Sequence, residues 1–370
     1  MTFLRNHLQP IKGYTPGEQP PPGSSILKLN TNENPYPPSP EVIKVLQSLD
    51  LEWLRRYPDP TARVFREAVA EIFQVAPAAV TVGNGSDELL ALVMRAFVEK
   101  GARVVYPMPS YVLYRTLAQL QDAVPYEIAY DECFTFPLDS LIDAQGAITL
   151  IASPNSPTGH VVPISVLDQL AGALKGILVI DEAYIDFAQV GGANHGLGVE
   201  PQNALSLIHK HPNVIVLRTL SKGYSLAGLR VGFAIAQPEL IQDLNKAKDS
   251  YTVDAIATLA GTAALRDQAH KHQSVQKVLR SRPILQKQLA DLGFRVWPSA
   301  TNFLLVQPPS GILAIDLQQS LKQQGILVRY FDLPGVSDKL RITVGTDAQN
   351  DQLCRSLQEI LGAASLKMAT

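Results

Sequence analysis

Residues 217–232 read LRTLSKGYSLAGLRVG, and four of their side chains can share one piece of chemistry. Thr219 and Ser221 alternate ahead of Lys222 and offer hydroxyls to an anion, and Arg230 adds a permanent, fork-shaped cation that matches phosphate oxygens. A second anion signal is VGNGSDELL, residues 82–90, where two glycines permit close backbone approach. Ser86 and Asp87 stand there at the start of a helical pattern, whose free N–H groups and dipole favour negative charge. It is not a nucleotide P-loop, because the Lys-Ser/Thr ending is absent. A lysine amine beside a bound phosphate can form a Schiff base with an aldehyde. Pyridoxal 5'-phosphate supplies that aldehyde, a phosphate to anchor and a ring nitrogen that must stay protonated. Asp181 would hold that proton by charge pairing, Asn155 and Tyr184 could hydrogen-bond the phenolic oxygen, and Tyr111 could stack on the ring. Taken singly, these residues have plainer readings. Asn155, Asp181 and Lys222 are ordinary turn residues, Ser86 and Asp87 make a good N-cap, and the two tyrosines fit a core.

What joins them is the order of elements that must carry them. Four apolar runs, ARVVYP, AITLIASPN, GILVIDEAY and NVIVLRTLSK, alternate with helical patterns, as in a mainly parallel sheet covered on both faces. Ligands of such sheets sit beyond the carboxyl ends of the strands, and Asn155, Asp181 and Lys222 follow three of these runs. SPEVIKVLQSLD, TARVFREAVAEIF and NGSDELLALVMRAFVEKG predict helices. The second would bury Val64, Ala68, Ile72 and Phe73, and the third Leu89, Leu92, Val93, Ala96 and Phe97, with Gly101 suiting its stop. The segment up to about Pro40 is rich in Pro, Asn and Gly and predicts an extended arm. From about Asp254 the texture changes to a long Ala/Gln/Lys/Leu-rich stretch and then short strands. The expected division of the 370 residues is a large cofactor-binding α/β domain over 51–254 and a smaller α+β domain from 1–50 with 255–370.

Bulk properties exclude other classes. A formal net charge of −2 gives no electrostatic case for nucleic acid or an anionic membrane. Cys133 and Cys354 lie far apart, so neither a disulfide framework nor a metal site is expected, and His195, His209, His211, His270 and His272 form no ligand pattern. The N-terminal residues lack a signal peptide's apolar core and no run approaches a membrane span, so the expected location is cytoplasmic.

SPNSPTG, VIDEAY, RTLSKGYSLAGLRVG and the arm KLNTNENPYPPSP together resemble the pyridoxal-phosphate aminotransferases of fold type I. The arm and RYPDP narrow the resemblance to the histidinol-phosphate branch, and it runs in the family's order from about Leu29 to Thr346. It implies a mainly parallel seven-stranded sheet flanked by helices, plus a smaller α+β domain. Lys222 would carry the cofactor as a Schiff base and shuttle the proton, and Asp181 would pair the ring nitrogen. Asn155 and Tyr184 would touch the phenolic oxygen, and Ser86, Asp87 (through its backbone), Thr219, Ser221 and Arg230 would hold the phosphate. Tyr57 would reach the phosphate of a neighbouring subunit's cofactor, implying an obligate homodimer with shared active sites. Arg341 and Arg329 would hold the substrate's anionic end, with Asn155 beside it and Tyr14 and Asn32 in an arm that closes over it. The implied reaction is ping-pong amino transfer from histidinol phosphate to 2-oxoglutarate, a step of histidine biosynthesis. Three alternatives stay open: an aromatic amino-acid aminotransferase, a decarboxylase or lyase of a phosphorylated amino acid, and a cofactor-sensing regulator. The last needs an appended DNA-binding domain, and no basic helix-turn-helix pattern precedes Leu29.

Overall fold

Among the described residues, short runs of β-branched and aliphatic residues form twelve strands: β1 (Leu27–Leu29), β2 (Val80–Asn84), β3 (Arg103–Met108), β4 (Val124–Ala129), β5 (Ile148–Ala152), β6 (Ile177–Asp181), β7 (Val214–Thr219), β8 (Val231–Ile235), β9 (Arg295–Val296), β10 (Phe303–Gln307), β11 (Ile326–Tyr330) and β12 (Leu340–Thr343). The computed structural model describes residues 2–13, 16–21, 23–188 and 203–368, so Tyr14 and His195 lie outside the described residues. Seven strands make one sheet in the order β2-β8-β7-β6-β5-β3-β4. Strand β8 runs antiparallel to both of its neighbours, and the pairings from β7 to β4 are all parallel.

The sheet is buried on both faces, and strict alternation along each strand divides its residues between two cores. Leu178, Ile180, Val214 and Val216 enter one cluster, while Val179, Ile215 and Leu217 enter the other. The first cluster also takes in Val42 from the helix Pro40–Gln47 and Ala257, Ala260 and Ala264 from the helix Ala255–Arg266. Both helices were expected in the smaller domain, yet their apolar faces close the large sheet's core. In the helix Arg63–Phe73 the buried face is Phe65, Ala68 and Val69, and Val64 faces solvent. The helix Gly85–Phe97 buries Leu89, Leu92 and Val93 as expected, with Leu90 and Met94 beside them. It ends at Val98, ahead of Gly101. A five-stranded sheet, β1-β11-β12-β10-β9, is antiparallel except where the arm's β1 adds alongside β11. Among the described residues no helix is long and apolar enough to cross a membrane.

The start of the helix Gly85–Phe97 sits directly on β8. Gly83 and Gly232 face each other in the β2–β8 register, and a Cβ on Gly232 would lie 2.5 Å from the Ser86 nitrogen and 2.6 Å from the Gly85 carbonyl carbon. Those are backbone atoms, so they cannot swing aside. Gly232→Ala is therefore expected to lower stability by about 1–3 kcal/mol, as overpacking does. Urea unfolding checks this, and an unchanged midpoint would show that the helix start is free to shift.

Candidate active site

Every parallel strand of the large sheet ends at one edge, and the antiparallel β8 begins there, so six loops meet at a single cleft. Ser86 follows β2, Ser110 and Tyr111 follow β3, Asn155 and Ser156 follow β5, Tyr184 follows β6, Lys222 follows β7 and Arg230 immediately precedes β8. Asp181 is itself the last residue of β6. Arg329 and Arg341 complete the cleft from the smaller sheet, and Asn30, Thr31 and Asn32 complete it from the arm.

At one end the groups suit a phosphate. Thr219 Oγ1 lies 2.8 Å from Ser221 Oγ and accepts the Ser221 N–H at 3.1 Å, so both hydroxyls are gathered at one point. Arg230 adopts a left-handed backbone (φ 57°), and its guanidinium occupies the space a side chain on Gly85 would need. Gly85 itself has φ 81°, so the tight turn into the helix requires glycine on two counts. Asn84, rather than Ser86 or Asp87, takes the cap position, and its N–H donates to Glu88 Oε2 at 2.5 Å. Ser86 thus stands in the first helical turn, where N–H groups point outward without intrahelical partners. Arg230 bonds the Asp87 carboxylate at 3.2 Å, and both side chains are 43% exposed, so an incoming phosphate displaces that contact at little cost.

Asp181 lies deeper. It accepts the Tyr114 O–H at 3.1 Å and the Ala183 N–H at 3.1 Å. Burial pushes its carboxyl up to about 6 against those bonds. Its neighbour Glu182 is equally buried but accepts from Arg218 Nε at 2.9 Å and Nη2 at 2.7 Å. The Asp181 carboxylate has no such cation, so a ligand carrying a protonated ring nitrogen fits what the site lacks. Lys222 Nζ donates to the Thr31 carbonyl at 2.9 Å and stands 5.7 Å from the centre of the Tyr184 ring.

At the other end Arg329 and Arg341 oppose each other across the β11–β12 pair. Two cations in opposite register are a natural place for an anion to bind between them. Arg341 donates to Ser156 Oγ at 2.9 Å and to the Asn30 carbonyl at 2.8 Å, and its guanidinium lies 5.3 Å from the centre of the Phe331 ring. The Arg329 guanidinium lies at the same 5.3 Å from Phe331, so one ring braces both cations.

The 53% identity over full length decides the kinship. Residues 24–357 match the family described as aminotransferase class I and II. A relative named histidinol-phosphate aminotransferase 1, from Trichormus variabilis, is 53% identical over 97% of this chain and 99% of its own length. A second, histidinol-phosphate aminotransferase of Rhodopirellula baltica, is 42% identical over 98% of this chain and 97% of its own. The solved histidinol-phosphate aminotransferase of Sinorhizobium meliloti, in complex with pyridoxal-5'-phosphate, superposes with a TM-score of 0.82 at 28% identity, covering 92% of this chain and 93% of that one. The chain belongs to the class I and II aminotransferases.

Within this aminotransferase, the cleft brings together Ser86, Asp87, Tyr111, Asp181, Tyr184, Thr219, Ser221, Lys222, Arg230, Arg329, Arg341 and Asn32. Asn32 does more than cover the cleft: its backbone is left-handed (φ 56°), its Nδ2 donates to the Tyr184 hydroxyl at 2.8 Å, and it exchanges two 3.0 Å bonds with Thr343. Asn155 is fully buried, with all three amide positions engaged, so it contacts a ligand only by giving up one of those bonds. Tyr111 donates to Asp87 at 3.0 Å. Tyr57 is apart from this cleft, 83% exposed and stacked on Tyr251 at 4.6 Å. Sequence reasoning missed Ser110, Tyr114, Ser156, Thr31 and Phe331. Ser156, inside SPNSPTG, and Thr31, inside KLNTNENPYPPSP, lay within motifs that could have pointed to them. Among the described residues no cluster of His, Cys, Asp or Glu is placed to hold a metal.

Because burial raises the Asp181 carboxyl above its usual 3.8, the folded chain without ligand binds that proton more tightly than the unfolded chain does. The stability this gives is complete below about pH 4 and is lost as pH rises through about 6. Asp181→Asn in cofactor-free protein should therefore leave stability unchanged near pH 3.5 and raise it by on the order of 2 kcal/mol at pH 8. Denaturation across that pH range checks this. A gain that does not grow with pH would show that Asp181 is not held against its charge.

Proposed function

We propose that this aminotransferase moves an amino group between histidinol phosphate and 2-oxoglutarate, giving imidazole-acetol phosphate and glutamate, with pyridoxal 5'-phosphate as cofactor. The observation that carries the reading is a pair of anion sites flanking one lysine. One is built from Ser86, Thr219, Ser221 and Arg230, the other from Arg329 and Arg341, and Lys222 stands in the same cleft. One anion is the cofactor phosphate and the other the substrate's acidic end. The full-length relatives named for histidinol phosphate supply the choice of substrate.

When bound, pyridoxal phosphate supplies an aldehyde for the amine and a protonated ring that takes up the electron pair left at the substrate carbon. Ser86, Thr219, Ser221 and Arg230 would hold its phosphate, Asp181 its ring N–H, Tyr184 and Asn155 its phenolic oxygen, and Tyr111 a face of its ring. Lys222 Nζ, released from the Thr31 carbonyl, takes the proton from the substrate carbon that bears the amine and hands it on. Asp181 stays charged throughout, because a carboxylate facing a ring N–H no longer bears the cost of solitary burial. Arg329 and Arg341 accept a phosphate ester in one half-reaction and the distal carboxylate of glutamate in the other, since guanidinium donors match both oxyanions. The two free cysteines suit a reducing compartment, and the cytoplasm remains the expected location.

The cleft of one chain leaves Tyr57 unused. It stands with Trp53 and Leu54 on an exposed apolar surface that suits a second copy of the chain, whose cofactor phosphate Tyr57 would reach.

Two tests follow. Borohydride reduction of the yellow holoenzyme should fix label on Lys222 alone, and Lys222→Ala should abolish transfer from histidinol phosphate to 2-oxoglutarate. The intact enzyme should prefer histidinol phosphate to phenylalanine and tyrosine. Preference for the aromatic donors, or carbon dioxide released from phosphothreonine, would replace this reading. For the dimer, inactive Lys222→Ala chains mixed with impaired Tyr57→Ala chains should regain activity, because one site of each mixed dimer then holds both residues. Mixing without gain would show that Tyr57 serves its own chain or none.

A further inference from the structure

Behind the cleft wall a chain of hydrogen bonds runs from Ser110 through Asn155 and Thr158 to His160. Ser110 donates to Asn155 Oδ1 at 2.8 Å, and Asn155 Nδ2 donates to the Pro109 carbonyl at 3.1 Å and to Thr158 Oγ1 at 2.8 Å. Thr158 Oγ1 lies 2.6 Å from His160 Nδ1. The Pro109 carbonyl can only accept, which fixes the nitrogen of the Asn155 amide on that side. Its second hydrogen then goes to Thr158, so the single Thr158 hydrogen is left for His160 Nδ1. That hydrogen finds its acceptor when His160 Nδ1 is unprotonated, which corresponds to the neutral tautomer protonated at Nε2. Burial acts in the same direction, holding the ring below its usual range at about 4. Among the described residues no group takes a hydrogen on Nε2, and the His160 ring meets the Tyr130 ring edge-on at 5.1 Å.

We infer that His160 is a positioning residue for this reaction, fixing the amide of Asn155 through the Thr158 hydroxyl. The inference rests on the functional reading above, in which Asn155 turns a hydrogen toward a ligand oxygen. Of its two Nδ2 bonds, the longer one to Pro109 is given up at less cost. After that exchange Thr158 alone keeps the nitrogen on this side, and Thr158 accepts only while its own hydrogen is committed to His160. Without an acceptor at His160 the Thr158 hydroxyl can turn toward Asn155 and favour the reversed amide, which presents oxygen to oxygen. The loop between them is tight: the Asn155 N–H bonds the His160 carbonyl and the Gly159 N–H bonds the Asn155 carbonyl, both at 2.8 Å. The relay therefore has little freedom to adjust by backbone movement.

His160→Phe keeps the ring volume and removes the acceptor, while His160→Asn restores an oxygen near the Nδ1 position. The phenylalanine variant should bind pyridoxal phosphate and turn over histidinol phosphate about tenfold less well, the scale of one hydrogen bond, and the asparagine variant should recover most of both. In a Thr158→Val background His160→Phe should cost nothing further, since the path is already cut. Nitrogen NMR of the cofactor-free chain, with the His160 signal assigned by its loss in the variants, should show Nδ1 unprotonated and Nε2 protonated. Losses that simply add across the double variant, an asparagine variant as damaged as the phenylalanine one, or a proton on Nδ1 would each overturn the proposal. A chain that binds no pyridoxal phosphate would instead overturn the functional reading, while the tautomer measurement still decides the relay.

Discussion

The site depends on a carboxylate that the protein buries and leaves without a cation. Asp181 ends a strand whose residues are inaccessible on both faces, and its two protein partners, the Tyr114 hydroxyl and the Ala183 N–H, are neutral donors. Only a few ångströms of sequence separate it from Glu182, which is buried to the same degree yet fully paired with Arg218. Two adjacent acids in one core therefore have opposite fates. Glu182 and Arg218 hold structure, with Arg218 also lying over the Phe73 ring at 4.7 Å. Asp181 is held against its charge, which a cationic ring nitrogen would relieve under the proposed reading, and that difference in environment, rather than residue type, makes it the functional candidate of the two.

The same logic of incomplete charge runs through the rest of the cleft. Arg329 and Arg341 oppose each other in the β11–β12 register, and Arg230 leans on Asp87 only across an exposed contact. Groups that would repel or desolvate one another are held by rigid elements: strand register for the two arginines, a left-handed turn packed on Gly85 for Arg230, and a strand terminus for Asp181. Under the proposed reading, part of the binding energy of an anionic substrate and a doubly charged cofactor would come from relief of like-charge proximity and of the solitary burial of Asp181, which would favour ligands of one charge pattern over neutral analogues.

The sheet's carrying strands were legible because they are buried on both faces and read as apolar runs. The two edge strands were not. Strand β4, VPYEIA, contains Pro125 and Glu127 and is half exposed, so its pattern matches an edge and gives little signal. Strand β2 is five residues long, and its polar end was read only as the approach to a helix. The helices Pro40–Gln47 and Ala255–Arg266 crossed the expected domain boundary because their partners are set by tertiary packing, which no local pattern encodes. For the site, residues inside spaced motifs were found, while those known only by proximity were missed. Tyr114 is visible only once its hydroxyl is seen at Asp181, and Phe331 only once two arginines are seen against its ring. Tyr57 shows a further limit, since it lies exposed and apart from the cleft, and the role proposed for it needs a second chain.

The arm shows how fold and chemistry are coupled here. Strand β1 is only three residues long, too short to hold position by pairing with β11 alone. What fixes the arm is polar: Asn32 is bonded to Thr343, Tyr184 and Asn302, and Asn34 donates to the Lys222 carbonyl at 3.2 Å and to Ser274 at 3.0 Å. The Thr31 carbonyl meanwhile accepts from Lys222 Nζ, so both the backbone and the side chain of Lys222 are held by one short segment. When Nζ turns from that carbonyl toward a cofactor, Thr31 loses a partner while Asn34 keeps its grip on the backbone. Under the proposed reading the arm is thus anchored independently of the bond that the chemistry would break, and the cleft would keep its shape while Lys222 changed partners.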